Sequence, residues 1–391
     1  MIKPADRVNS VQEYYFSVKL KQIEQMRSEG KDVINLGIGS PDRMPAPEVI
    51  ETLGRVSAKE DVHGYQSYLG IPALRQAFAL WYQRSYGVEL DPASEILTLM
   101  GSKEGIMHIS MAFLNPGDEV LIPNPGYPTY KAVTNLVGAK ARTYTLNESN
   151  GWQPDLSAIE KEDLSRVKLM WINYPHMPTG AAADMDVMKQ IIAFGKKHNI
   201  VICNDNPYSF VLNPEPSSLL SVEGAKDIAI ELNSLSKSHN MAGWRIGMAA
   251  SNSKFINYIL RVKSNMDSGM YRPLQEAAVK ALEAGADWYK ELNAEYAERR
   301  KLVFEIMDAL RCSYNKKQVG LFVWGRIPSE YPDGQELSDL LLEKANVFIT
   351  PGFIFGDSGE QYIRVSLCST KKILAESLNR VNRIVNKTIS N

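Results

Sequence analysis

Between about residues 70 and 265 the chain alternates short apolar runs with helical segments, and that rhythm limits its fold more than any other feature. Strand candidates are Glu95–Met100, Glu119–Ile122, Ala141–Tyr144, Leu169–Asn173, Val201–Asn204, Ile228–Leu232 and Gly247–Ala250. Between them lie the helix candidates Lys103–Leu114, Pro128–Leu136 and Met185–His198, with Pro72–Tyr86 ahead of the first strand. Strands separated by helices pair in parallel, and a parallel sheet needs helices on both faces. The expectation is an α/β chain with a mostly parallel sheet and ligands at the carboxyl ends of its strands.

The flanks read differently. Residues 11–30 form an amphipathic helix, with Val11, Tyr14, Tyr15, Val18, Ile23 and Met26 apolar, that stops at Gly30. Asp32 to Pro41 is a short strand entering a glycine-rich loop. A long helical stretch covers about Pro273–Leu310, in one or two pieces. Strand Gly320–Gly325, a helix near Glu336–Lys344, Val347–Thr350, strand Tyr362–Leu367 and closing helix Lys371–Asn386 make a smaller α+β unit. With 391 residues, more than one domain is expected: an N-terminal arm over 1–45, a large domain over 46–275 and a small domain over 276–391.

Composition removes several function classes. A net charge of -1 gives no electrostatic reason to bind nucleic acid or an anionic membrane. No run of about 18 apolar residues would span a bilayer, and Met1–Arg7 lacks a signal-peptide core. Cys203, Cys312 and Cys368 are odd in number and far apart, which fits a reducing, cytoplasmic setting. No histidine or cysteine spacing resembles a metal site, so no metal is expected.

Most of the candidate chemistry follows strands. Ser234-Leu-Ser236-Lys237, with Arg245 eight residues on, offers an amine for an imine and hydroxyls and a guanidinium for a phosphate dianion. Asp205, at the end of an apolar strand, could pair with a protonated ring nitrogen, and Tyr208 lies three residues on. Gly101-Ser102-Lys103 joins a strand to a helix start, where backbone N–H groups bind anions. Tyr127 in Asn124-Pro-Gly-Tyr-Pro could stack on a flat ring. Arg364 sits mid-strand among apolar neighbours and needs an anion such as a substrate carboxylate. A serine-rich surface loop, an Asx turn, a capped helix, a proline-fixed turn and an edge-strand arginine would explain the same segments one by one.

Taken together, these residues resemble the class I/II, fold-type-I pyridoxal-phosphate aminotransferases from about Tyr14 to the last helix. Within that family the likeness is greatest to LL-diaminopimelate aminotransferases and related aspartate aminotransferase-like enzymes. The pointers are Tyr14-Tyr-Phe16, Leu36-Gly-Ile-Gly-Ser-Pro-Asp42, Gly101-Ser-Lys-Glu-Gly105 and Lys263-Ser-Asn-Met-Asp-Ser-Gly269.

The resemblance implies pyridoxal 5'-phosphate as cofactor and a large α/β/α domain beside a small α+β domain. It implies catalytic roles for Lys237, Asp205 and Tyr208. It implies cofactor contacts from Ser102, Lys103, Tyr127, Ser234, Ser236, Arg245 and, across a homodimer interface, Tyr65. It implies substrate contacts from Gly39, Arg364 and Tyr15. The donor it favours is LL-diaminopimelate or an aspartate-like amino acid, with 2-oxoglutarate as acceptor. A carbon–sulfur lyase or another pyridoxal-phosphate enzyme of the same fold, such as a decarboxylase or a cyclopropane-forming synthase, is the alternative. A DNA-binding regulator with an aminotransferase-like sensor domain would need an N-terminal extension ahead of Tyr14, and a non-catalytic cofactor binder is a further possibility. The chain departs from the family pattern at Met177, where Pro-Thr-Gly is ordinarily preceded by asparagine, and at His239, where relatives often carry tyrosine. His176 is a possible substitute donor for the missing asparagine, and Arg272 a candidate reader of the substrate side chain.

Overall fold

The computed structural model of the chain describes residues 2–9, 11 and 15–389; positions 12–14, and with them Tyr14, lie outside it. Helix α1, Tyr15–Ser28, occupies the rest of the expected N-terminal helix. It turns Ile23 and Met26 inward against Val33, Leu342 and Phe348, so it packs on residues from the far end of the chain. Lys19 adds an ion pair to Asp339 at 2.7 Å. Helix α2, Pro72–Tyr86, has the predicted ends for visible reasons: proline opens its first turn and Gly87, at φ 65°, closes it.

The central sheet has seven strands: β1 (Ile96–Leu99), β2 (Glu119–Asn124), β3 (Lys140–Thr145), β4 (Val167–Ile172), β5 (Val201–Asp205), β6 (Ala229–Ser234) and β7 (Gly247–Ala250). Their order across the sheet is β1-β7-β6-β5-β4-β2-β3. Strands β2 to β6 run parallel, as expected. β7 runs against both of its neighbours, so the sheet is mixed at that end.

Alternate residues along one strand enter different cores. Met170 and Ile172 pack on one face of the sheet, Leu169 and Trp171 on the other. That is the two-residue pleat of a strand buried on both sides. Helices α3 (Ser102–Phe113), α4 (Pro128–Leu136) and α5 (Met185–His198) supply much of the covering surface. A one-turn helix, α6 (Leu235–Ser238), follows β6. Helices Pro47–Ser57 and Ser253–Lys263 complete this part and were not anticipated.

The predicted long helix is two, Arg272–Leu282 and α7 (Ala286–Ala309), broken at Gly285. An antiparallel sheet follows, built from β8 (Phe322–Arg326), β9 (Thr350–Pro351) and β10 (Tyr362–Ser366) in the order β9-β10-β8. Helix α8 (Gly334–Ala345) packs on it, and helix α9 (Lys371–Ile389) packs on α7 and α8. The segment Ile34–Asn35 pairs in parallel with Val347–Phe348, which carries the loop behind it to the mouth of the cavity described next.

Candidate active site

The loops leaving β1, β2, β4, β5 and β6 at their carboxyl ends converge on one cavity of about 450 Å³. Ser234 ends β6, and its Oγ accepts from Ser236 N at 3.1 Å, capping α6. That cap fixes the single turn carrying Lys237. Lys237 Nζ reaches across the cavity and donates to Gly39 O at 2.5 Å. Burial lowers the pKa of this amine, and the Arg364 and Arg245 charges push the same way. A neutral lysine is a nucleophile and a proton acceptor.

Asp205 closes β5 beside it. Its Oδ2 accepts from the Tyr130 hydroxyl at 3.2 Å, while Oδ1 has no hydrogen-bond partner among the described residues. Burial pushes this carboxyl up to about 6, against the lowering effect of the Tyr130 and Ser102 hydroxyls and of Lys237. Tyr130 is itself fixed by stacking on Trp171, with centroids 5.0 Å apart. Tyr127 and Tyr208 line the same cavity, and burial raises the Tyr208 phenol.

One end of the cavity is built for an anion. Ser102 opens α3, one residue earlier than predicted, so the first N–H groups of the helix lie at the cavity with Lys103. Ser234 and Ser236 hydroxyls are 2.7 Å apart, and Arg245 completes the set. Gly101, at φ 84°, allows this approach, because a Cβ there would fall 2.2 Å from Arg245 Nη2. Arg245 itself holds a left-handed φ of 56°, with Nη1 donating to Ala242 O at 2.9 Å. Glu104 braces the turn by accepting from Met100 N and meeting His108 Nε2 at 2.8 Å.

The other end holds a buried arginine. Arg364, from the middle of β10, is 5% exposed. Its guanidinium carbon lies 3.8 Å from the Phe322 ring centroid and 4.6 Å from that of Phe355. Nη2 donates to Gly37 O at 2.8 Å and Nη1 points at Met177 Sδ, 3.2 Å away. Gly39 is required by contact: a Cβ would fall 2.1 Å from Phe322 Cζ.

Four sequence-predicted residues lie outside this cavity, and for one of them, Tyr65, a place across a subunit interface is what the resemblance implied. Tyr65 is 94% exposed and does not line the cavity. Tyr15 turns its ring to Phe353 at 5.2 Å, and its neighbour Phe16 lines the cavity instead, 5.8 Å from the Arg364 guanidinium. Arg272 is held by Glu276 at 2.8 Å and Asp61 at 3.3 Å, in a separate surface groove. His176 does not fold inward: Nδ1 meets Thr179 Oγ1 at 2.8 Å, in a small void behind the cavity wall. Tyr130, Asn173, Phe322 and Phe355 were not singled out from the sequence. Tyr130 sits three residues after Tyr127 on the first turn of α4, and that spacing was the one available signal.

A family model described as aminotransferase class I and II matches residues 31–381. An LL-diaminopimelate aminotransferase of Moorella thermoacetica is 40% identical over 389 residues, covering 99% of each chain. One from Nitratidesulfovibrio vulgaris is 40% identical over 383 residues, covering 97% of this chain and 98% of its own. Among solved structures, apo-BacF from Bacillus subtilis superposes with a TM-score of 0.94 at 35% identity, over 98% of both chains. An aromatic aminotransferase from Pyrococcus horikoshii gives 0.89 at 28% identity, over 98% of this chain and 99% of its own.

Proposed function

The chain belongs to the class I and II aminotransferases and is a fold-type-I transaminase that uses pyridoxal 5'-phosphate; from that premise we propose how its own residues run the reaction. The buried, unpartnered Asp205 Oδ1 carries the reading, because a protonated ring nitrogen would complete it. Ser102, Lys103, Ser234, Ser236 and Arg245 would hold the phosphate, Tyr127 the ring face and Tyr208 the ring hydroxyl. When bound, the cofactor supplies the aldehyde carbon that takes up and returns the amino group and the ring that stores the electron pair of the broken Cα–H bond. Lys237 anchors it and, once displaced, moves the substrate's α-proton. Arg364, with Gly39, grips the α-carboxylate and so fixes the direction of the Cα–H bond.

The amino group passes from an α-amino acid to a 2-oxo acid. The curated relatives are named for LL-diaminopimelate, and we carry that donor to this chain, with 2-oxoglutarate as acceptor. Their names give no support to the lyase alternative. We also propose the three-part organisation of arm, large domain and small domain at 1–45, 46–275 and 276–391.

A homodimer completes the site. Tyr65 stands exposed beside other exposed apolar groups, Tyr68, Met266 and Tyr271. The loop holding Met266 packs on Gln66 and Ser67 at Gly269, and Tyr271 stacks on His63. Such a patch fits a subunit interface across which Tyr65 reaches the partner's phosphate. Among the described residues no helix is long and apolar enough to cross a membrane. The three buried free thiols suit a cytoplasmic setting.

The test is a half-reaction screen. Holoprotein is mixed with single amino acids and no acceptor, and the visible cofactor band is followed. LL-diaminopimelate is expected to bleach it with release of a 2-oxo acid and no ammonia. Ammonia and pyruvate from a sulfur amino acid, with no transamination, would overturn the assignment.

A further inference from the structure

The wall between Arg364 and Tyr208 is closed by a residue that can give nothing to a ligand. Met177 lines the cavity, is 6% exposed, and places Sδ 3.2 Å from Arg364 Nη1. A thioether accepts a hydrogen bond weakly and donates none. Among its contacts, Arg364 Nη2 donates to Gly37 O and Nη1 meets the neutral sulfur, with Phe322 and Phe355 against the guanidinium. The sulfur orients the guanidinium, yet it competes with an incoming carboxylate far less than an oxygen acceptor would.

The neighbouring polar side chains are turned to partners of their own. His176 lies behind the wall, 3% exposed and bonded to Thr179. Asn173 lines the cavity, and each end of its amide has a partner, with one Nδ2 hydrogen left over. Nδ2 donates to Asp205 O, and Oδ1 accepts from Met177 N at 2.8 Å. Tyr208, which lines both the cavity and the void behind Met177, brings the hydroxyl on this wall.

We propose that Met177 tunes this site in two ways: its sulfur pins the substrate-carboxylate arginine, and its lack of a donor leaves a negative oxygen on the bound cofactor less stabilised. The proposal rests on the cofactor reading given above. With the cofactor bound, its link to Lys237 would hold a proton, and losing that proton would leave negative charge on the ring oxygen. A donor to that oxygen favours the deprotonated form. With Met177 in place the proton is kept to higher pH.

An absorbance–pH titration of the holoprotein tests this, run on wild type, Met177→Asn and Met177→Leu. Asparagine restores a donor and is expected to lower the titration midpoint by about one pH unit, tenfold in the proton equilibrium. Leucine keeps the bulk and removes the sulfur. It should leave the midpoint in place while raising the amino-donor KM about three- to tenfold with kcat little changed, because Arg364 loses its pin. A midpoint that Met177→Asn does not move sinks the proposal. So does a Met177→Leu shift as large as that of asparagine, which would mark packing as the cause. A wild-type protein that shows no visible cofactor band at any pH would instead refute the cofactor reading, and the proposal would fall with it.

Discussion

Lys237 and Gly39 meet across the cavity, with Nζ donating to the glycine carbonyl at 2.5 Å. The two lie 198 positions apart in the sequence. Gly39 belongs to the loop that passes over Phe322, and Lys237 to a single helical turn at the end of the central sheet. The lysine proposed to carry the chemistry is thus held by the segment that also frames the proposed carboxylate site.

Asp205 gives the cofactor-free protein a pH signature. Its carboxyl is raised from 3.8 to about 6 by burial. The folded value exceeds the unfolded one, so this group's stabilising contribution is full below about pH 4 and lost as pH rises through about 6. The loss amounts to at most about 3 kcal/mol. His176 and His239, pushed down to about 3 by burial, act in the opposite sense. Their contribution is present above about pH 6.5 and lost as pH falls towards 3. The difference between wild type and Asp205→Asn in urea unfolding isolates the aspartate. From pH 4 to 7 it should move in favour of the variant, and a flat difference would contradict the burial argument. Amino transfer by the variant should fall about 10²- to 10³-fold.

Arg364→Lys keeps the charge and loses the planar fork that packs against Phe322 and Phe355. The amino-donor KM is expected to rise about tenfold to a hundredfold, with a smaller change in kcat. Steady-state kinetics on one donor decides it. An unchanged KM would remove Arg364 from carboxylate binding.

Gly101→Ala should weaken cofactor binding by about tenfold or more, since it adds strain at φ 84° and drives a methyl into Arg245. Gly54→Ala is the control, because a Cβ there meets nothing within 4 Å. Equilibrium dialysis with the cofactor reads both. Equal affinities would show that the turn at Gly101 is not part of the anion cup.

Much of the fold was legible because its strands are short, apolar and bounded by turn residues, and because prolines and glycines mark helix ends, as at Pro72 and Gly87. The reversed direction of β7 was not, since strand direction depends on which neighbours it joins and leaves no trace in alternation. In the site, motif residues at strand ends came together in one cavity. Tyr130, Asn173 and Phe355 belong to no motif and act through positions set by tertiary packing. Tyr15 and Phe16 differ by about 100° around a helix, and which of them faces the cavity depends on how α1 seats on Leu342 and Phe348. Arg272 carries a full charge in sequence but is bound by two carboxylates in the fold.

The fate of the amino nitrogen separates transamination from every alternative. Wild type and Lys237→Ala would each be given a donor labelled with heavy nitrogen on its α-carbon and an unlabelled 2-oxo acid. The prediction is label in the new amino acid and none in free ammonia for wild type, and a rate lower by about 10³-fold or more for the variant. Label released as ammonia, or transfer that survives loss of Lys237, would contradict the assignment.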